Sequence, residues 1–190
     1  MDAVSAIILE KDFNALGVNA IAQKAGISKV LIYRYFGSYD ELLKKWAIKS
    51  HFWSEPEQTD HDFSEKNLIK AKEIVTDIFI RQIRMMRNNP ILRKLIRWHI
   101  SSESPLSASI MAEVEAEGRK LSDNFRKNFS TDLELEGMTA LIIGGIYYLG
   151  IISDRVDVFN GVSLNDLDSE NRLELAVCEW TDIIFKCLKP

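Results

Sequence analysis

Apolar residues recur along this chain at spacings of three and four with polar positions between them, and no stretch alternates over the length of a strand. The pattern predicts an all-α protein of about nine helices. The first begins almost at Met1. A second carries Ile21 and Ala25 one turn apart with small Ala22 beside them, a face suited to close helix packing. Gly26 stops it, because glycine enters the left-handed region at little cost. Ile27 is expected to drop beneath this turn, and Ser28 to cap a helix over Lys29 to Phe36. Ile32 and Phe36 then point inward, leaving the pairs Lys29/Tyr33 and Val30/Arg34 on the outer side. Ser38 and Glu41 have capping-box spacing and open a helix to about Trp53. After a polar break at Pro56, Asp60 and Asp62, Ser64 to Asn89 reads as one long helix through Leu68, Lys72, Val75, Phe79, Ile83 and Met86. Pro90 starts another, with Leu92, Leu95, Ile96 and His99, until Ser101 to Pro105 interrupt it. Helices over Leu106 to Phe129, Leu133 to about Ser153 and Ser169 to Leu188 complete the chain. The last two are separated by a loop with the turn signal Asn160-Gly161.

Two short helices joined by a glycine turn are the wiring of a DNA-reading helix-turn-helix. The outer side of the second helix has the chemistry for it. Arginine bonds bidentately to guanine, lysine and tyrosine hydroxyls reach phosphates, and Val30 or Leu31 suits a thymine methyl.

The run from Ile21 to Leu43, with its A-G-I-S turn, its L-I-Y-R-Y-F helix and its G-S-Y-D-E-L-L continuation, resembles the helix-turn-helix of the TetR family of transcriptional regulators. The resemblance covers about a quarter of the chain. It implies a homodimer with a DNA-binding domain at 1–45 and a ligand-binding and dimerisation domain at 46–190. It further implies a palindromic double-stranded DNA operator, and repression relieved by a small-molecule effector. Carried over by position, Lys29, Val30, Leu31 and Arg34 would face bases, while Tyr33, Tyr35 and Tyr39 would face phosphates, with Ser28 at the helix start. Val18 departs from the family's usual threonine, which caps the second helix and touches phosphate, so Asn19 is expected to take over part of that contact.

Charge sharpens this picture when divided along the chain. Residues 1 to 50 hold seven Lys+Arg against five Asp+Glu, a balance of +2, and residues 51 to 190 hold seventeen against twenty-three, a balance of −6, giving −4 in all. The acid lies away from the expected DNA face. Cys178 and Cys187 on one helix would stand roughly 13 Å apart at 1.5 Å per residue, too far to bridge, so two reduced thiols are expected. The longest apolar run, the fifteen residues Met138 to Ile152, contains three glycines and falls short of the about 18 to 20 residues that span a bilayer. With no charged-then-apolar leader at the start, a cytoplasmic protein without a membrane partner is expected.

The two last helices, long and apolar, are expected to pair with their copies as a four-helix interface. Gly144, Gly145 and Gly150 each weaken a helix by about 1 kcal/mol relative to alanine, and close helix approach is the expected compensation. Phe79, Ile83, Trp98, Phe125 and Tyr147 fall at helical spacing and by themselves read as core; the family resemblance implies instead an effector pocket of largely apolar character among them, with His99 or Tyr148 as a polar handle. The cations Arg81, Arg84, Arg87, Arg93, Lys94 and Arg97 read as a solvated surface balanced by Glu113, Glu115 and Glu117. His51, His61 and His99 have no metal-ligand spacing, no cofactor motif occurs, and neither a phosphate loop nor a nucleophile elbow is present. The protein is therefore read as a regulator rather than an enzyme; the alternative is a helical-bundle hydrolase or lipid carrier without DNA binding.

Overall fold

The computed structural model describes residues 1–49, 63 and 67–188, the side chains of 117 and 167–170 aside. Among the described residues there are nine α-helices and one small hairpin. The expected extension of the fourth helix to Trp53, the polar break at Pro56, Asp60 and Asp62, and His51 and His61 lie outside them. The chain forms two compact units, neither continuous in sequence: one drawn from Met1–Pro56 and Asn89–Val114, the other from Glu57–Asn88 and Glu115–Pro190.

The first unit, here called the head, contains α1 (Asp2–Lys11), α2 (Val18–Ala25), α3 (Lys29–Phe36), α4 (Tyr39–Lys49) and α6 (Pro90–Ser101). Its core gathers Val4, Ile8, Ile32, Leu43, Trp46 and Leu95, all essentially removed from solvent. Aromatic contacts stitch it together. Phe13, in the short turn after α1, stacks on Trp98 of α6 with ring centroids 4.6 Å apart and meets Trp46 of α4 edge-on at 6.0 Å. The Trp46 indole Nε1 donates to Ser5 Oγ at 2.9 Å, so the buried ring keeps a polar partner. Asn89 caps α6, accepting from the Leu92 amide at 3.0 Å, and Pro90 fills the first helical position as expected.

One contact in the head was not foreseen. Lys94, read from sequence as solvated surface, donates its ammonium to the carbonyls of Ile8 at 2.8 Å and Leu9 at 3.1 Å. These carbonyls lie in the last turn of α1, where the helix dipole favours a cation; the Ile8 carbonyl also accepts from the Asp12 amide at 3.0 Å. Trp98 and Lys94 thus make α6 a brace for the head.

The second unit, here called the body, contains α5 (Leu68–Asn88), α8 (Leu135–Ile152) and α9 (Leu167–Phe185), with the C-terminal part of α7 (Pro105–Asn128). Asn67 caps α5 by accepting from the Ile69 and Lys70 amides. α5 packs against both α8 and α9. Polar clamps fix α5 to α9: Arg84 reaches Glu174 with two bonds of 2.7 and 2.8 Å, Thr76 and Thr181 share a hydrogen bond of 2.9 Å, and Lys72 pairs with Asp182 at 2.6 Å. Arg81 pairs with Asp77 on its own helix. Arg81, Arg84 and Lys94 of the cation-rich stretch thus find partners on α5, α9 and the α1 backbone.

Gly150 is where α8 meets α5. A Cβ there would lie 2.6 Å from Met86 Cε and 2.8 Å from Met86 Cβ, so glycine is what allows the approach. At Gly144 and Gly145 an added Cβ would meet nothing within 4 Å. Close packing within the chain therefore accounts for Gly150 alone. The helix begins at Leu135, earlier than the apolar run read from sequence, and reaches 18 residues, long and apolar enough by composition to cross a membrane, with little of it buried.

Between α8 and α9 the expected loop contains a hairpin of β1 (Val158–Phe159) and β2 (Val162–Ser163), with Val158 opposite Ser163 and Phe159 opposite Val162. Asn160 at φ 48° and Gly161 at φ 75° both occupy positive φ, the geometry of a two-residue hairpin turn that favours Asn-Gly. Strands of two residues carry too little alternation to be read in advance.

Candidate nucleic-acid interface

The geometry of the turn follows from its residues. Gly26 adopts φ 67° and ψ 29°, and the Ile27 amide donates back to the Ala22 carbonyl at 3.0 Å, closing α2 with a glycine cap. Ser28 Oγ accepts from the Leu31 amide at 3.4 Å and starts α3. Ile27 does not drop into the core as expected: it is 40% exposed, and Ala25 is exposed too. The turn thus presents its own side chains outward, and Ile21, Ala22 and Ile32 carry the packing beneath it.

α3 packs against α2 and α4 through Ile32, which is 1% exposed. Its other face is open. Val30 is 69% exposed, Tyr35 67% and Tyr33 45%; Lys29 and Arg34 are exposed as well, and Leu31 is half-buried. The Arg34 guanidinium carbon lies 5.4 Å from the centroid of the Tyr35 ring, a cation–π contact on the surface. The described head thus brings Ser28, Lys29, Val30, Tyr33, Arg34 and Tyr35 to the exposed side of one helix and its cap. Leu31 sits at the edge of that surface.

Asn19 and Tyr39 flank α3 in the chain. α2 starts from Gly17, which has no side chain to cap it; Val18 is its first helical residue, and Asn19 beside it is exposed. Tyr39 begins α4 half-buried, and desolvation, with Asp40 second, holds its phenol above the ordinary range, keeping it a neutral donor. Ser38 Oγ caps α4 by accepting from the Glu41 amide at 3.1 Å, while the Glu41 carboxylate stands 3.5 Å from Lys44. At the end of α2, Lys24 pairs with Glu10 of α1 at 2.6 Å. The lysine's hydrogen bond and charge lower the Glu10 pKa. A positioned rod with one arginine, one lysine, two tyrosines and small apolar tips suits hydrogen bonding to base edges and phosphates.

The seven residues assigned to an effector pocket are distributed differently. Trp98 and His99 belong to the head, where Trp98 stacks on Phe13 and His99 Nδ1 lies 3.3 Å from Ser107 Oγ. Ser107 is fully buried and its hydroxyl donates to the Ser104 carbonyl at 2.9 Å, so this Ser–His contact offers no accessible nucleophile. In the body, Phe125 belongs to an aromatic cluster with Phe63, Phe129 and Phe185. Phe79 meets Trp180 edge-on at 5.4 Å. Tyr148 is exposed and meets Phe159 at 5.5 Å, while desolvation, with Glu115 second, pushes the Tyr147 phenol up to about 12.

Ile83 alone of the seven lines the cleft found in the body. This cleft, of about 380 Å³, runs between α8 and α9 over α5; its walls include Met86, Ile142, Ile146, Leu173, Val177 and Trp180, with Arg87 and Ser153 as polar members. Aromatic spacing pointed elsewhere because, Trp180 apart, the apolar walls of the cleft are aliphatic side chains and glycines. Gly145 and Gly150 on its wall were the usable signal. Among the described residues no group of three or more His, Cys, Asp or Glu is placed to hold a metal.

Comparison with known proteins bears on the head. Residues 1–45 match the family model described as bacterial regulatory proteins, tetR family. Two uncharacterized HTH-type transcriptional regulators from two strains of Mycobacterium tuberculosis are each 24% identical over 117 residues, covering 60% of this chain and 54% of theirs. The chain thus spans about half the length of the curated relatives it matches. No solved structure matches it.

Proposed function

We propose, from the match of residues 1–45 to the TetR family of bacterial regulatory proteins, that the chain is a ligand-responsive transcriptional repressor acting as a homodimer on a palindromic operator. The observation that carries the reading is the open face of α3, with Lys29, Val30, Tyr33, Arg34 and Tyr35 exposed together on a helix anchored by Ile32. Two such helices would enter successive major grooves about one helical turn apart, Arg34, Lys29, Val30 and Leu31 toward bases, and Tyr33, Tyr35, Tyr39, Asn19 and the Ser28 end toward the backbone.

Dimerisation through α8 and α9 is supported by what the lone chain leaves uncovered. Leu141 is 80% exposed and lies two turns from exposed Tyr148 on α8, and Leu175 and Ile183 are exposed on α9. Another side of α8 is taken by α5 at Gly150 and by the cleft, whose rim residue Leu141 borders the uncovered stripe. A stripe suits a second helix better than a surrounding bilayer, and no membrane partner is proposed.

The effector is a small, largely apolar molecule held in the body, in keeping with the aliphatic walls of the cleft. Its binding would release DNA if it prefers an arrangement in which the two heads no longer fit one duplex, with coupling of about 1 to 3 kcal/mol. Transmission would use α4 and also α6, since α6 braces the head and follows directly on α5, whose last turn lines the cleft. DNA binding is assigned to the head, whose reading part is residues 1–45, and effector binding and dimerisation to the body, in a cytoplasmic protein without catalytic activity. Selection of bound duplexes from a random DNA pool tests the whole reading. Enrichment of an inverted repeat is expected, and recovery of unselected sequence would end the case for operator recognition.

A further inference from the structure

The hairpin between α8 and α9 has an unusual surface for so small an element. Val158 and Phe159 are neighbours on β1 and so point to opposite faces, yet both are exposed, with Val156 just before them. An isolated two-stranded hairpin is at best marginally stable in water. This one is held in place: Arg172 of α9 donates to the Gly161 carbonyl at the tip at 2.8 Å, and Asn165 bonds the Ser153 carbonyl and Asp157 Oδ1, each at 3.1 Å, at the base. The tethers position apolar side chains that stay substantially open to solvent, Val158 at 59% and Phe159 at 41%.

What they do touch shows where they belong. Phe159 meets Tyr148 edge-on, and Tyr148 lies two turns from Leu141 at the rim of the cleft, with open Gly144 between them. The hairpin therefore continues the uncovered stripe of α8 beyond the end of that helix. We infer that it is a dimerisation arm, laying Val158 and Phe159 against a second copy of this chain. The inference rests on the proposed dimer through α8 and α9. A two-fold axis through the α8 seam would apply the arm twice, once from each subunit, which gives a small element a doubled effect.

The test uses the full chain in sedimentation equilibrium, with Val158→Ser/Phe159→Ser against the unaltered protein, and a photo-crosslinking amino acid placed at 159. The double variant should keep its helical circular dichroism and raise the dimer dissociation constant at least about tenfold, because four apolar side chains per dimer lose their burial. Crosslinking at 159 should give a covalent dimer. An unaltered dimer, no loss in the variant and no inter-subunit product would overturn the arm and leave the dimer standing. A strictly monomeric chain would overturn both. A monomer that floats with phosphatidylcholine and phosphatidylglycerol vesicles would overturn both in favour of a lipid surface.

Discussion

Arg34 rests over the ring of Tyr35 on the open side of α3, a contact worth about 0.5 to 1 kcal/mol at an exposed site. Bidentate bonding to a guanine is worth more, so the arginine is expected to leave the ring for a base edge. Arg34→Ala should cost roughly 1 to 3 kcal/mol on the selected operator and relax preference at one base position. Tyr33→Phe should weaken specific and random DNA alike; fluorescence anisotropy on both duplexes separates the two effects. Equal losses for Arg34→Ala on both would remove its base-reading role. In the body, Tyr147 offers a pH test. Its phenol is raised from 10.0 to about 12, so the folded state favours the neutral form. The resulting stability is fully present below about pH 10 and is lost as pH rises toward 12. Tyr147→Phe should flatten the denaturation profile over that window. The outward side of α3 was legible because a period of 3.6 divides eight residues cleanly into faces. Ile27 was not: a lone apolar residue after a glycine cap has no periodic neighbour to say which way it turns.

Helix starts were legible at Ser28 for α3, Ser38 for α4 and Pro90 for α6, whereas Asn67 and Asn89, which cap α5 and α6, were read as parts of a longer helix. The glycines of α8 were read as a group, yet they separate by environment. Gly150→Ala would press a methyl into Met86 and should destabilise the protein by about 1 to 3 kcal/mol in urea unfolding. Gly144→Ala meets open space in the single chain and should stabilise the helix by about 1 kcal/mol, while loosening the dimer if α8 lies close to its copy. A dimer constant unmoved by Gly144→Ala would mean that close approach is not why glycine stands there. For α6, Lys94→Met removes a charged donor from the α1 carbonyls and should lower stability by about 1 to 2 kcal/mol. The sequence shows Lys94 only as one of six nearby cations; a bond that links residues 86 positions apart leaves no local trace.

For the molecule as a whole, the division of charge sets the expected response to salt. A balance of +2 over residues 1 to 50 is modest, so operator affinity should fall with salt on a shallow slope, about 0.9 logarithmic units per phosphate neutralised. Filter binding across a salt series measures it, and a steep slope would point to cations beyond α3. The all-helical class was readable from periodicity, and the reading head from its turn; the site in the body was not, because the cleft forms where α8 and α9 meet α5, a helix distant from both in sequence. The stacking of Phe13 on Trp98 and the seat of Lys94 on α1 have a practical consequence for anyone building chimeric regulators. A reader cut away shortly after α4 would leave its scaffold behind. Such a graft should be floppy and poorly selective unless the segment from Asn89 to Val114 travels with it.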